Sequence, residues 1–157
     1  MSSFTASTSQ RIQGNLLVLL QFGLILLLVL ISGPIDALRA GRWEVGLAFA
    51  ASAVMGLLAL MANPPGNFNI RPNPKSGGRL VEHGIYRRVR HPMYTAVIVF
   101  GLGCALAAPS ITTWLAAALL FGVLLLKAIV EERLLSGVYE GYADYMRRTQ
   151  RFIPGLF

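Results

Sequence analysis

The chain has 157 residues, of which 55% are apolar and only 13% charged, and its mean hydropathy is +0.60. Soluble domains carry about 25% charged residues, so the expected solvent is a bilayer, and the length suits a single domain, 1–157, with no large soluble domain beside it. The net charge of +7 does not point to nucleic acid, because the basic residues flank apolar runs and no nucleic-acid motif accompanies them.

Residues 1–11 are rich in Ser and Thr and read as a disordered cap. The first apolar run is Leu16–Ile31, with Gln21 its only strongly polar member. It is longer than a signal-peptide core of about 7–15 residues and approaches the ~20 needed to span, so a retained transmembrane helix is expected. Gly33-Pro34 ends it. The second run, Val45–Ala62, stops at Asn63-Pro64-Pro65-Gly66. The third and fourth, Met93–Ala108 and Ile111–Val130, are joined by Pro109-Ser110, a connection so tight that the two helices must be antiparallel neighbours. Gly101 and Gly103 lie inside the third run and read as small residues for close helix packing. The single cysteine, Cys104, lies there too, so no disulfide within the chain and no cysteine-rich metal site is expected.

Residues 131–150 are polar and amphipathic, with Leu135, Tyr139, Tyr142 and Met146 at helical spacing, and predict an interfacial helix or a lid over a site. The expectation is therefore an all-α integral membrane bundle. It has about four transmembrane helices and a C-terminal amphipathic helix, with residues 1–62 as N-terminal membrane helices and 63–157 as the motif-bearing half. Arg71, Lys75, Arg79, Arg87, Arg88 and Arg90 in the long loop, with Arg133, Arg147, Arg148 and Arg151 in the tail, face Arg39 and Arg42 on the other side. That bias assigns the loop, the tail and both termini to the cytoplasm.

Two clusters carry chemistry. The first is Arg90-His91-Pro92-Met93-Tyr94. Pro92 suits the first turn of a helix, where a missing N–H costs nothing. His91 and Tyr94 then share a face, and the helix N-terminus with Arg90 forms a cradle for an anionic group. The bland alternative is a basic loop that only sets topology. The second cluster is Glu131-Glu132. At a helix C-terminus the dipole would disfavour these carboxylates, so either the helix continues past them or they meet a cationic partner. On spacing alone a solvated face accounts for them equally well.

Taken together, the clusters resemble a known family. Gly84, Tyr86, Val89 and the Arg90-His91-Pro92-x-Tyr94 string are similar to the Arg-His-Pro-x-Tyr motif of isoprenylcysteine carboxyl methyltransferases and to its variant in the phospholipid N-methyltransferases. Glu131-Glu132 resembles the Glu pair of both. Arg79-Leu80-Val81 and the tail with Tyr142, Tyr145, Arg148, Arg151 and Ile153-Pro154 extend the likeness over roughly 63–157. Where family members acting on prenylated cysteine carry an arginine one turn before the pair, this chain has Lys127.

The resemblance implies a membrane methyltransferase that uses S-adenosyl-L-methionine at a cytoplasmic-side pocket, with a lipid-like or hydrophobic small-molecule acceptor arriving from the bilayer. It implies Arg90, His91, Tyr94, Glu131 and Glu132 as cofactor-binding residues, with Glu131 and Arg90 nearest the chemistry, and no metal. The alternatives are a membrane reductase of the sterol-reductase type using NADPH, and a non-catalytic membrane protein. The two clusters are expected to converge, since the Pro109-Ser110 hairpin returns the chain to its starting level.

Overall fold

A computed structural model describes residues 7–67, 69–72 and 78–155. Residues 1–6 of the Ser/Thr-rich start, and Lys75 of the basic loop, lie outside the described residues. The described chain is helical: α1 (Thr8–Ser32), α2 (Pro34–Arg39), α3 (Trp43–Ala62), α4 (Pro92–Ala107), α5 (Ile111–Ser136) and α6 (Tyr142–Arg148), with one 3-10 turn at Gly84–Arg87.

The first helix begins earlier than its apolar run. Ser7 accepts from the Gln10 backbone N–H and the Gln10 side chain returns a bond to the Ser7 N–H, a capping box that starts the helix at Thr8. The 1–11 cap expected to be disordered is thus helical from residue 8. At the other end Gly33 takes the left-handed conformation (φ +50°) and α2 follows at Pro34, a short helix that hydropathy alone does not reveal.

The helices α1, α3 and α5 have 25, 20 and 26 residues and are long and apolar enough to cross a membrane. The fourth apolar helix, α4, has 16 residues. At ~1.5 Å per residue it is about 24 Å long, short of a ~30 Å hydrocarbon core. The expectation of about four spans therefore resolves into three helices of full length and a shorter one. That shorter helix is the most enclosed: α4 packs on α3 and α5, with α1 against both α5 and α4. Outward side chains such as Leu19, Leu30, Leu57 and Met61 are exposed and apolar, which suits lipid and not water.

Small residues set the spacing around α4. A Cβ on Gly103 would lie 2.8 Å from the Phe49 ring of α3, and one on Gly101 would lie 3.1 Å from Leu120 of α5. The two glycines let both neighbours approach, as their position in the run suggests. Ser52 adds a 2.8 Å bond to the Ala96 carbonyl between α3 and α4. Leu28, Cys104, Ala116, Leu120, Leu124 and Ala128 fill the core, and Cys104 is fully buried there.

The amphipathic 131–150 stretch is not one helix. Instead α5 runs on through Glu131 and Glu132 to Ser136, so the carboxylates lie within a helix and the clash with its dipole is relieved. Gly137 caps it, and Gly141 precedes α6. Glycine at both positions raises the cost of helix between them, and the chain turns there.

Candidate functional site

The site is built at the N-terminus of α4. Gly84 (φ +60°) opens the 3-10 turn, and the chain then reaches His91, the N-cap of α4, with Pro92 in its first turn. The C-terminal tail runs alongside this approach. Arg90 N–H donates to the Gln150 carbonyl at 2.8 Å, His91 N–H to the Arg151 carbonyl at 3.1 Å, and Gln150 N–H to the Arg88 carbonyl at 3.0 Å. The Thr95 hydroxyl donates to the Phe152 carbonyl at 3.0 Å. Backbone groups next to the helix start are thereby satisfied by the tail, and Arg151 and Phe152 are carried into the site.

All five residues singled out in the sequence meet here, but in two different roles. Glu132 is buried and its oxygens are fully engaged. Arg90 Nε donates to Oε1 at 2.8 Å, Arg151 Nη2 to Oε2 at 2.7 Å, and His91 Nε2 lies 3.2 Å from Oε1. Arg90 also donates through Nη1 to the Met146 carbonyl at 3.1 Å and to the Thr149 carbonyl. Two guanidiniums around one carboxylate form a compensated buried cluster that ties α4, α5 and the tail together. The sequence left the cationic partner of Glu131 and Glu132 open between Arg90 with its neighbours and a ligand. For Glu132 the structure supplies Arg90, with Arg151 and His91 beside it, and Glu132 is not among the residues that line the cavity.

Glu131, by contrast, lines the cavity. The Tyr94 hydroxyl donates to its Oε2 at 2.8 Å, and His91 Nδ1 lies 3.7 Å from the same oxygen. The His91 and Tyr94 rings stack with centroids 5.2 Å apart and 2° between planes, the consequence of their spacing on one helical face. His91 thus stands between the two glutamates, one ring nitrogen toward each.

The cavity holds about 830 Å³, including the part open to solvent. Its floor is Arg90, His91, Tyr94 and Glu131. Its walls are tyrosines from two further elements, Tyr86 of the 3-10 turn and Tyr139, Tyr142 and Tyr145 of the α5–α6 region. Asn63, Asn67, Asn69 and Arg79 complete its polar lining. Asn67 and Arg79 are tied together: the Asn67 side chain accepts from the Arg79 N–H at 2.8 Å and donates to the Arg79 carbonyl at 3.0 Å. Tyr145 OH donates to the Tyr86 carbonyl at 2.8 Å, binding α6 to the turn.

Burial pushes the Tyr86 phenol up to about 12, with the charge of Glu131 adding to the rise. The Tyr142 and Tyr145 phenols are also raised, chiefly by burial. These hydroxyls therefore stay protonated at neutral pH, and the cavity presents neutral phenol rings around one carboxylate.

The wall residues were largely invisible as a set in the sequence. Tyr86 and Tyr145 stood in the sequence only as parts of the family likeness, Tyr139 as part of a helical stripe and Tyr142 in both, while Asn63 showed only as a stop to the second run and Asn67 and Asn69 were not singled out. The signal that could have found them is that all five tyrosines of the chain fall either beside the Arg-His-Pro string or just after the Glu pair.

Residues 46–141 match the family model described as phospholipid methyltransferase. The chain belongs to that family. The match begins inside α3, which carried no motif, and stops short of the 142–154 tail. Among curated proteins, the chain is 31% identical over 134 residues to the nickel-cobalt-cadmium resistance protein NccN of Alcaligenes xylosoxydans xylosoxydans, covering 82% of this chain and 62% of that protein. It is 33% identical over 86 residues to the cobalt-zinc-cadmium resistance protein CzcN of Cupriavidus metallidurans, covering 52% and 38%. In both cases the chain spans less than two thirds of the relative's length. Among the described residues, no group of three or more His, Cys, Asp and Glu side chains is arranged to hold a metal ion. The family and the apolar helices together make this an integral membrane protein.

Proposed function

We propose that this chain transfers a methyl group from S-adenosyl-L-methionine to a hydrophobic or lipid-like acceptor, in a pocket that opens on the cytoplasmic side. The observation that carries the reading is the single cavity-lining carboxylate, Glu131, set among tyrosine rings beside the Arg90–Tyr94 turn in a chain of the phospholipid methyltransferase family.

The residues present fit such a donor. Its positive centre needs a counter-charge and aromatic faces, which Glu131 and the surrounding tyrosines offer. Its nucleoside and amino-acid ends need polar partners, and Asn63, Asn69 and Arg79 also line the cavity, while Asn67 is engaged in holding Arg79. When bound, S-adenosyl-L-methionine supplies a methyl group activated on a sulfonium sulfur.

Each residue of the chain then has a physical task. Glu131 attracts and orients the positive centre, and Tyr94 holds the Glu131 carboxylate in one rotamer through its hydroxyl. Glu132 contributes as a positioning residue: by engaging Arg90, Arg151 and His91 it fixes the floor of the pocket before any ligand arrives. Tyr86, Tyr142 and Tyr145 restrict water. Methyl transfer from a sulfonium is a displacement that needs orientation more than acid–base help, so a preformed, partly dry pocket supplies much of what the reaction requires. An apolar acceptor reaches the pocket sideways from the lipid along α4 and α5. The cytoplasmic orientation rests on Arg71, Arg79, Arg87 and Arg88 at the pocket end, against Arg39 and Arg42 at the other.

The test is label transfer. Purified protein in lipid extract, given S-adenosyl-L-methionine with an isotopically labelled methyl, should move label into organic-soluble product, and Glu131→Gln should lose most of it. Absence of label transfer together with protein-dependent NADPH oxidation would replace this reading with the reductase.

A further inference from the structure

The structure holds a buried cation that the site described so far does not use. Lys127 lies on α5, one turn before Glu131, and is 1% exposed. It does not line the cavity. Its Nζ donates to the Gln21 side-chain carbonyl on α1 and to the Ile70 backbone carbonyl at 3.0 Å, and it sits 5.0 Å from the centroid of the Tyr94 ring. An ammonium has three donors and no acceptor, so two carbonyls and a ring face account for its bonding capacity.

These partners are unusual for a buried lysine. None is a carboxylate in direct contact, although the charge of Glu131 one turn on acts on the ammonium, so its desolvation cost is repaid only in part. An apolar side chain of similar volume would serve packing at least as well. Gln21 is likewise a buried polar residue in an apolar helix, and it faces the one strongly polar group that α5 presents there. What the pair secures is the segment 69–72. Within the segment Pro72 is buried and the Ile70 side chain is half exposed, and it is the Ile70 carbonyl that is drawn inward to Lys127. The segment follows Asn67 and includes Asn69, both of which line the cavity. On its other side the ammonium rests on the ring of Tyr94, whose hydroxyl holds Glu131.

We propose that Lys127 is a positioning residue that latches the 69–72 segment onto α1 and α5, so fixing the asparagine wall of the pocket on one side and the Tyr94–Glu131 pair on the other. It acts through its neighbours and touches no reacting atom. The latch also gives α1 a part in the site, although α1 lies outside the matched 46–141 region. The latch itself stands on geometry; its effect on ligand binding rests on the proposed methyl-donor reading.

The experiment compares wild type, Lys127→Met and Lys127→Arg in detergent by amide hydrogen exchange without ligand, then by titration with S-adenosylhomocysteine. Lys127→Met should stay folded with only a small fall in thermal midpoint, as Gln21 loses its partner, while amide exchange at 69–71 rises about tenfold or more, because a local closure and not the global fold has been lost. Lys127→Arg, which keeps donors and charge, should fall between the two. Affinity for S-adenosylhomocysteine should drop in the same order. Unchanged exchange at 69–71 in Lys127→Met overturns the latch. So does an unfolded Lys127→Met beside a wild-type-like Lys127→Arg, which would make Lys127 a structural residue. Altered exchange with no ligand binding even by wild type would leave the latch standing and remove the donor reading instead.

Discussion

Tyr94 and Glu131 are 37 positions apart and on different helices, yet the Tyr94 hydroxyl donates to the Glu131 carboxylate at 2.8 Å. Beside them Glu132 makes a different set of bonds, to Arg90, Arg151 and His91. Consecutive residues on a helix project about 100° apart, so one carboxylate enters the cavity while its neighbour enters the packing between α4, α5 and the tail. Two adjacent glutamates should therefore respond differently to substitution.

Glu132→Gln leaves the Arg90 and Arg151 guanidiniums without their shared anion. Breaking a buried ion pair from one side costs about 3–5 kcal/mol. A clear fall in the thermal midpoint is expected for Glu132→Gln. Glu131→Gln, which retains an oxygen for Tyr94, should change stability by no more than ~1 kcal/mol. Thermal denaturation of both variants in one detergent checks the contrast.

Gly103→Ala should destabilise, by about 1–3 kcal/mol, as overpacking does. The added Cβ would lie 2.8 Å from one Phe49 ring carbon and 3.1 Å from another. Gly122→Ala on α5 is the control, since nothing lies within 4 Å of its Cβ. It should be neutral or slightly stabilising, because alanine loses less backbone entropy in a helix. Thermal midpoints of the two variants, moving in opposite directions or one flat and one down, are the expected result.

The alkaline limb of stability should carry the signature of the tyrosine wall. Tyr86 is raised from the ordinary 10 to about 12, so between those values the folded state holds a proton that the unfolded chain has lost. Its contribution is complete below pH 10 and is lost as pH rises towards about 12. Tyr142 and Tyr145 are raised too and add to the decline. A plot of thermal midpoint against pH should fall above pH 10, and Tyr86→Phe should make that fall shallower without abolishing it.

Much of this was legible in the sequence, and the gaps have physical causes. The apolar runs gave α3, α4 and the start of α5 to within a residue or two, because lipid exposure requires near-continuous hydropathy. The Pro109-Ser110 hairpin foretold that Arg90, His91 and Tyr94 would reach the Glu pair. Hydropathy could not see that α5 continues past Val130, since the helix leaves the apolar region before it ends. Nor could periodicity see the break at Gly137 and Gly141, because Leu135, Tyr139 and Tyr142 keep a helical spacing while the chain turns between them. The division of labour between Glu131 and Glu132 depends on Arg151, which arrives from 19 residues away by pairing with 88–91, a contact of backbone atoms that no side-chain pattern encodes.

The most direct test of the account is calorimetric titration of S-adenosylhomocysteine into wild type, Glu131→Gln and Glu140→Gln in detergent. Glu140 is an exposed carboxylate a few turns of chain away and is the control for charge alone. Saturable binding is expected for wild type and Glu140→Gln, with affinity at least about tenfold weaker for Glu131→Gln, as follows when a partly buried positive centre loses its counter-charge. Equal affinity in all three, or no binding to wild type, would contradict the assignment of Glu131 to the methyl donor.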